Sequence, residues 1–183
     1  MRDTRHEINH FWFEETHPQQ WFQQSEILDR AIRDRFSITY DMAKDHLCDS
    51  WQSDEEGALA LVILLDQFPR HIFRGKPEAF ATDKQALLVA KQAIKNGFDQ
   101  ILEPVKRGFL YVPFQHSEDL RDHDRSVELM GAMKDDNPAG YDYALRHRVT
   151  IERFGRFPHR NAVLGRESTP EELDFLKEKP MGF

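Results

Sequence analysis

The stretch Ser53-Asp54-Glu55-Glu56-Gly57-Ala58-Leu59-Ala60-Leu61-Val62-Ile63-Leu64-Leu65-Asp66-Gln67-Phe68-Pro69 decides the fold class. Its first four residues have capping-box form: Ser53 as N-cap offers an oxygen to the open amides of a first turn, and Glu56 reaches back. The residues that follow are apolar on every side of a helical wheel. A helix over 57–68 therefore has no face for water and becomes the central helix of a helical protein. Proline has no amide hydrogen and disfavours α geometry in the residue before it, which predicts a stop at Pro69.

Upstream, Ile8, Phe11, Trp12 and Phe13 predict a short amphipathic opening helix. Beyond Pro18, the residues Trp21, Phe22, Ile27, Leu28, Ile32 and Phe36 recur at three- and four-residue steps and form a stripe facing the core. The pattern extends through Tyr40, Ala43 and Leu47, with a break expected near Ser37. The aromatic run Phe11, Trp12, Phe13, Trp21, Phe22 reads as core packing. Downstream, a helix over 78–96 is expected to end at Gly97, while 104–111 fits either a helix or an extended run. Pro113 is expected to interrupt, Ser117 to cap a helix reaching about residue 134, and Gly155 to end a helix over 141–154. Thr169-Pro170-Glu171-Glu172 is a second capping box, opening a short last helix. No segment alternates with period two, so no sheet is expected. The chain reads as one all-α domain over 1–183, seven or eight helices stacked as antiparallel hairpins.

A chain of 183 residues, 39% apolar with fourteen phenylalanines, supports one sizeable core. A net charge of −7 argues against wholesale binding to nucleic acid or anionic membrane. The charged start Met1-Arg2-Asp3-Thr4-Arg5-His6-Glu7 leads into no apolar segment, and the apolar run 58–65 is far short of the ~20 residues of a membrane span, so a cytoplasmic protein is expected. The single cysteine, Cys48, fits a reducing compartment. Asp45 and Asp49 beside it would raise its pKa and so oppose a nucleophilic role.

Three stretches carry more polar chemistry than a helical scaffold needs. They are Asp66-Gln67-Phe68-Pro69-Arg70-His71 with Arg74-Gly75, then Pro113-Phe114-Gln115-His116-Ser117-Glu118-Asp119, then Phe154-Gly155-Arg156-Phe157-Pro158-His159-Arg160-Asn161 with Leu164-Gly165-Arg166. Between Arg146 and Arg166 stand six arginines and no lysine, against the lone carboxylate of Glu152. The planar guanidinium fork suits bidentate binding of carboxylate or phosphate. Arginine and histidine at helix ends also cap carbonyls and pair with carboxylates, a purely structural alternative. His116 is placed just outside a helix N-terminus, where an anion would sit. His147 reads as an inward-facing core histidine beside Ile151, and His123 as a surface partner of Asp119 one turn earlier. None of the usual nucleophile, phosphate-loop, dinucleotide or zinc motifs is present.

These residues together resemble the bacterial domain-of-unknown-function 924 family. The matching segments are Phe11-Trp12-Phe13, Leu64-Leu65-Asp66-Gln67-Phe68-Pro69-Arg70, His116-Ser117-Glu118-Asp119, and Arg153-Phe154-Gly155-Arg156-Phe157-Pro158-His159-Arg160-Asn161 continuing as Leu164-Gly165-Arg166-Glu167-Ser168-Thr169. The resemblance spans about residues 8–178 and implies an all-helical, tetratricopeptide-like right-handed array, with no established activity. His123 stands where glutamine is usual and Thr150 where an acid is common, which weakens a metal-ligand role for His123.

The expected function is binding of a small anionic molecule where the three stretches converge. Asp66, Arg70, His71, Asp119, Arg156, Arg160 and Asn161 would hold the ligand, with His116, Glu118 and His159 as acid–base groups. A helical-array module that binds peptides without catalysis is the alternative. A metal site of His116, Glu118, His147 and His159 ranks third, and nucleic-acid binding ranks last. The residues do not specify a cofactor, a reaction or an oligomeric state.

Overall fold

Side chains on the residue before each helix set where most of the helices begin. Ser25 accepts the Leu28 amide, Asp54 that of Gly57, Asp119 that of Arg121, Asn137 that of Gly140 and Thr169 that of Glu172. The computed structural model describes residues 4–21, 23–180 and 182, so Phe22 of the aromatic stripe and residues 1–3 lie outside the described residues. Among these residues all regular structure is helical: α1 (Thr4–His10), α2 (Glu26–Lys44), α3 (Glu55–Val62), α4 (Phe68–Ile72), α5 (Asp83–Lys95), α6 (Pro104–His116), α7 (Leu120–Gly131), α8 (Pro138–Phe154) and α9 (Pro170–Glu178), with short 3₁₀ and π segments between. The chain divides into two compact units, residues 1–113 and 114–183.

In the first unit α3 packs between α1 and α5, and α2 lies against α4. Residues 57–69 are buried without a break, as the apolar wheel requires. Pro69 does not stop this helix. The π segment Ile63–Gln67 joins α3 to α4, and the Phe68 amide bonds to the Ile63 carbonyl. The Leu65 carbonyl, which an amide at position 69 would have met, instead accepts the Thr82 hydroxyl at 2.5 Å. A second π segment, Phe11–Glu15, follows α1. It brings Phe11 to 5.1 Å from Phe36 and Trp12 to 5.7 Å from Phe68, ring to ring.

Several boundaries differ from the sequence expectation, for local reasons. The N-cap of α3 is Asp54 and not Ser53, because a carboxylate at that position bonds the Gly57 amide at 2.8 Å and also takes Arg5 at 2.9 Å. Asp54→Ala is expected to cost about 1 kcal/mol in urea unfolding; no measurable change would contradict the cap. α2 runs unbroken through Ser37, whose hydroxyl bonds back to the Arg33 carbonyl at 2.6 Å. On α2 the inward stripe is Leu28, Ile32, Phe36, Tyr40 and Ala43, while Ile27 is 85% exposed and falls outside it. Likewise α6 accommodates Pro113 in its last turn, so the ambiguous stretch from 104 is helical.

In the second unit α7 packs along α8, and α9 lies against the 3₁₀ turn Pro158–Arg160. Asp119, not Ser117, caps α7. The Ser117 hydroxyl accepts the Asp119 amide at 3.1 Å and donates to Asp122 at 2.7 Å. α8 ends at Gly155 in the left-handed conformation (φ 66°), and Gly97 takes the same conformation (φ 76°) after α5.

Candidate functional site

The candidate residues fall into two groups, one in each unit. In the first unit Asp66 is fully buried within the π segment. Arg70 donates to both oxygens of Asp83 at 2.9 and 3.1 Å and also to the Asp66 carbonyl. Its fork is thus engaged by a carboxylate at the start of α5. His71 meets the Asp29 carboxylate of α2 at 2.7 Å through Nδ1, and Arg74 grips the same carboxylate at 2.7 and 2.8 Å. Burial works to raise the Asp29 pKa, but Arg74 and His71 outweigh it and hold the carboxyl below its usual value. Burial lowers His71 against the pull of Asp29, so the ring is neutral and Nδ1–H is the donor.

In the second unit the arginine-rich stretch carries its own counter-charges. Arg156 donates to Glu172 at 2.6 and 2.8 Å and to the Glu167 carbonyl at 2.9 Å. Arg166 forks onto Glu118 at 2.7 and 2.9 Å, and the Phe157 amide donates to the same carboxylate at 2.8 Å. Asn161 links the two pairs, accepting from Arg166 at 2.9 Å and donating to Glu172 at 3.2 Å. Arg146, Arg148 and Arg153 pair with Asp142, Asp124 with Glu152, and Glu171. Most of these acids lie outside the 146–166 window, which is why the stretch looked uncompensated. Asp119 is taken up by its cap and by Arg121 at 2.5 Å.

Around this frame three histidines and one arginine gather on Phe157, which is fully buried, and a fourth histidine stands against one of the three. The rings of His123, His147 and His159 stand 5.8, 5.7 and 5.4 Å from the Phe157 ring, and that of His116 is 6.4 Å from His147. Arg160, 6% exposed, lies over the face of Phe157 at 4.5 Å. Two imidazoles are fixed by backbone carbonyls: His147 Nδ1–H donates to Tyr143 and His123 Nε2–H to Ser117, each at 2.7 Å. Burial, then the neighbouring His116, pushes His147 down to about 3, and burial also lowers His123. Glu118 is raised by burial but held below its usual value overall by Arg166 and the Phe157 amide. Gly182, buried, gives its carbonyl to Thr150 Oγ1 at 3.1 Å, and a Cβ there would collide with His159 Nδ1.

Three sequence expectations are corrected by this geometry. His123 is fully buried on the Ser117 carbonyl and is no surface partner of Asp119, because Arg121 occupies that carboxylate. His116 is the last residue of α6, a helix that the interruption expected at Pro113 would have ended earlier. Glu172, read only as part of a capping box, also anchors Arg156 and Asn161. His147 is an inward core histidine, as expected, and Cys48 is raised by burial and then by Asp49. The hub, Phe157, carried no separate signal, although its place between two glycine-flanked basic residues marked the loop. Among the described residues no three His, Cys, Asp or Glu side chains are placed to hold a metal ion, and no helix is long and apolar enough to cross a membrane.

A solved structure of a protein of unknown function from Agrobacterium tumefaciens is similar to this chain. It shares 39% sequence identity and a TM-score of 0.91 over 96% of this chain and 97% of the other. No curated protein matches. The family model described as "Bacterial protein of unknown function (DUF924)" matches residues 8–180, from the opening helix to the end of α9, and the chain belongs to that family.

Proposed function

We propose that the second unit binds a small anionic molecule beside Phe157, with Arg160 as the fixed positive charge and His116 and His159 as the groups that exchange protons with it. One observation carries this reading: three imidazoles and a guanidinium collect on a single buried ring, with the His116 ring beside one of them. Burial penalises the protonated forms of His123 and His147, and a charged His116 would repel both. Apolar side chains would fill the same volume without that penalty. An incoming anion reverses it, because negative charge favours the imidazolium. Glu118 and Arg166 then position the loop through the Phe157 amide and do not act on the ligand. Arg156, Asn161 and Glu172 brace that loop from behind.

Isothermal titration calorimetry with inorganic phosphate, sulfate and simple carboxylates tests this reading. Arg160→Met is expected to weaken the best of these by roughly 30- to 100-fold, the worth of a charge-assisted pair. Unchanged affinity in Arg160→Met, or no binding of any of these anions to the unsubstituted protein, would overturn it.

A further inference from the structure

We infer that the first unit associates with a second copy of this chain, the outer line of α2 in one copy lying against the outer line of α5 in the other. On α2 the side opposite the buried stripe carries Asp34, Ile38, Asp41 and Asp45, all exposed. On α5 the buried side holds Ala86, Ala90 and Ala93, and the opposite side carries Lys84, Leu88, Lys91 and Lys95, all exposed. The two lines share one spacing, steps of four, three and four residues. In each the second place is apolar, and the other three hold charge, negative on α2 and positive on α5.

Ile38 is 79% exposed and Leu88 67%, so each line leaves a large apolar side chain in water among its charges. A parallel alignment sets the three aspartates beside the three lysines and covers Ile38 with Leu88, which removes apolar surface from water. The antiparallel alignment sets Ile38 against Lys91 and Leu88 against Asp41, and loses both gains. In the parallel register Arg30, one turn before Asp34, falls beyond the start of α5. Among the described residues none of Asp34, Asp41, Asp45, Lys84 and Lys95 stands in an ion pair of its own chain, so no partner competes for these charges. Arg35, off the line on α2, is by contrast already taken by Glu7 and Glu15. Within one copy the two lines cannot meet in register. Gln85 donates to the Ala43 carbonyl at 2.8 Å, which fixes the end of α2 beside the start of α5. Only a second copy brings start to start and end to end.

Sedimentation of the full chain at concentrations up to about 1 mM tests this, since a contact of this size is weak, with a dissociation constant on the order of 100 µM. The weight-average mass is expected to rise with concentration. Raising the salt from about 0.05 to about 0.5 M should weaken association roughly tenfold, because exposed charges are screened. The double variants Asp34→Lys with Asp45→Lys, and Lys84→Glu with Lys95→Glu, each set like charges face to face and should associate about tenfold or more weakly on their own. An equimolar mixture of the two variants restores opposite signs across the contact and should recover association. A chain that stays monomeric throughout overturns the inference. So does either double variant associating alone as before, or a mixture no better than its components. All four substituted positions are exposed; should one variant fail to fold, the unsubstituted chain, its salt dependence and the other variant still decide.

Discussion

Acidification from about pH 7.5 to about pH 5 is expected to remove roughly 2 kcal/mol of stability through His147 alone. In the folded chain this imidazole is held at about 3 by burial and by the neighbouring His116, against about 6.5 in an unfolded chain. Between those values the unfolded state binds a proton that the folded state refuses. Stability from this group is therefore complete above about 6.5 and falls as the pH drops towards 3. His123 and His71, also lowered by burial, add to the loss with the same sign. Glu118, Glu172 and Asp29 do not offset it, since all three are held below their usual values and stay ionised across this window. Urea unfolding at successive pH values measures the slope, and His147→Gln should remove about one proton of uptake. A stability that is flat or rising on acidification would contradict the burial of these rings.

Glu172→Gln is expected to destabilise the protein by about 2 kcal/mol, the worth of hydrogen bonds to a buried carboxylate whose partner Arg156 stays partly exposed. The carboxylate serves three neighbours at once. It closes the α9 capping box, with Glu172 N–H on Thr169 Oγ1 at 3.2 Å and Thr169 N–H on Oε2 at 2.8 Å. It receives the Arg156 fork, and it accepts from Asn161. Hydrogen bonding from Arg156, against the opposing effect of burial, holds this carboxyl down to about 2. Its contribution is present above about 4.3 and is lost as the pH falls towards 2, below the fall from about pH 7.5 to about pH 5 that reports on His147. A loss under about 1 kcal/mol would mean that the brace behind the Phe157 loop is slack. Because Glu172 reaches the loop through Arg156 and Asn161, the variant should weaken anion binding only as far as it loosens the loop.

Where a helix begins or ends by a local rule, the sequence announced it: Gly97 and Gly155 in left-handed turns, the Thr169 to Glu172 box, the apolar wheel of 57–68. The same rules failed at Pro69 and Pro113, because they assume that a carbonyl deprived of its amide partner ends the helix. At Pro69 a hydroxyl seventeen residues from Leu65 supplies the missing donor, and nothing near the proline indicates it. The site was half legible for a similar reason. Arginines and histidines were visible as an excess, but their partners were not: Asp83 for Arg70, Asp29 for His71, Glu118 for Arg166. Once these pairs are in place, several residues read as ligand contacts are engaged within their own unit. The imidazoles on Phe157, two of them first read as structural or superficial, come forward.

The π segment Ile63–Gln67 also sets an angular phase. One residue beyond the α-helical repeat turns everything after it by about 100° about the axis, so Arg70 and His71 point where an uninterrupted helix would have put their neighbours. Shortening this segment by one residue would leave a regular helix, better formed by hydrogen-bond geometry, with Arg70 swung off Asp83 and His71 off Asp29. The irregular turn works as a rotary offset, and the buried ion pairs of the first unit are timed to it.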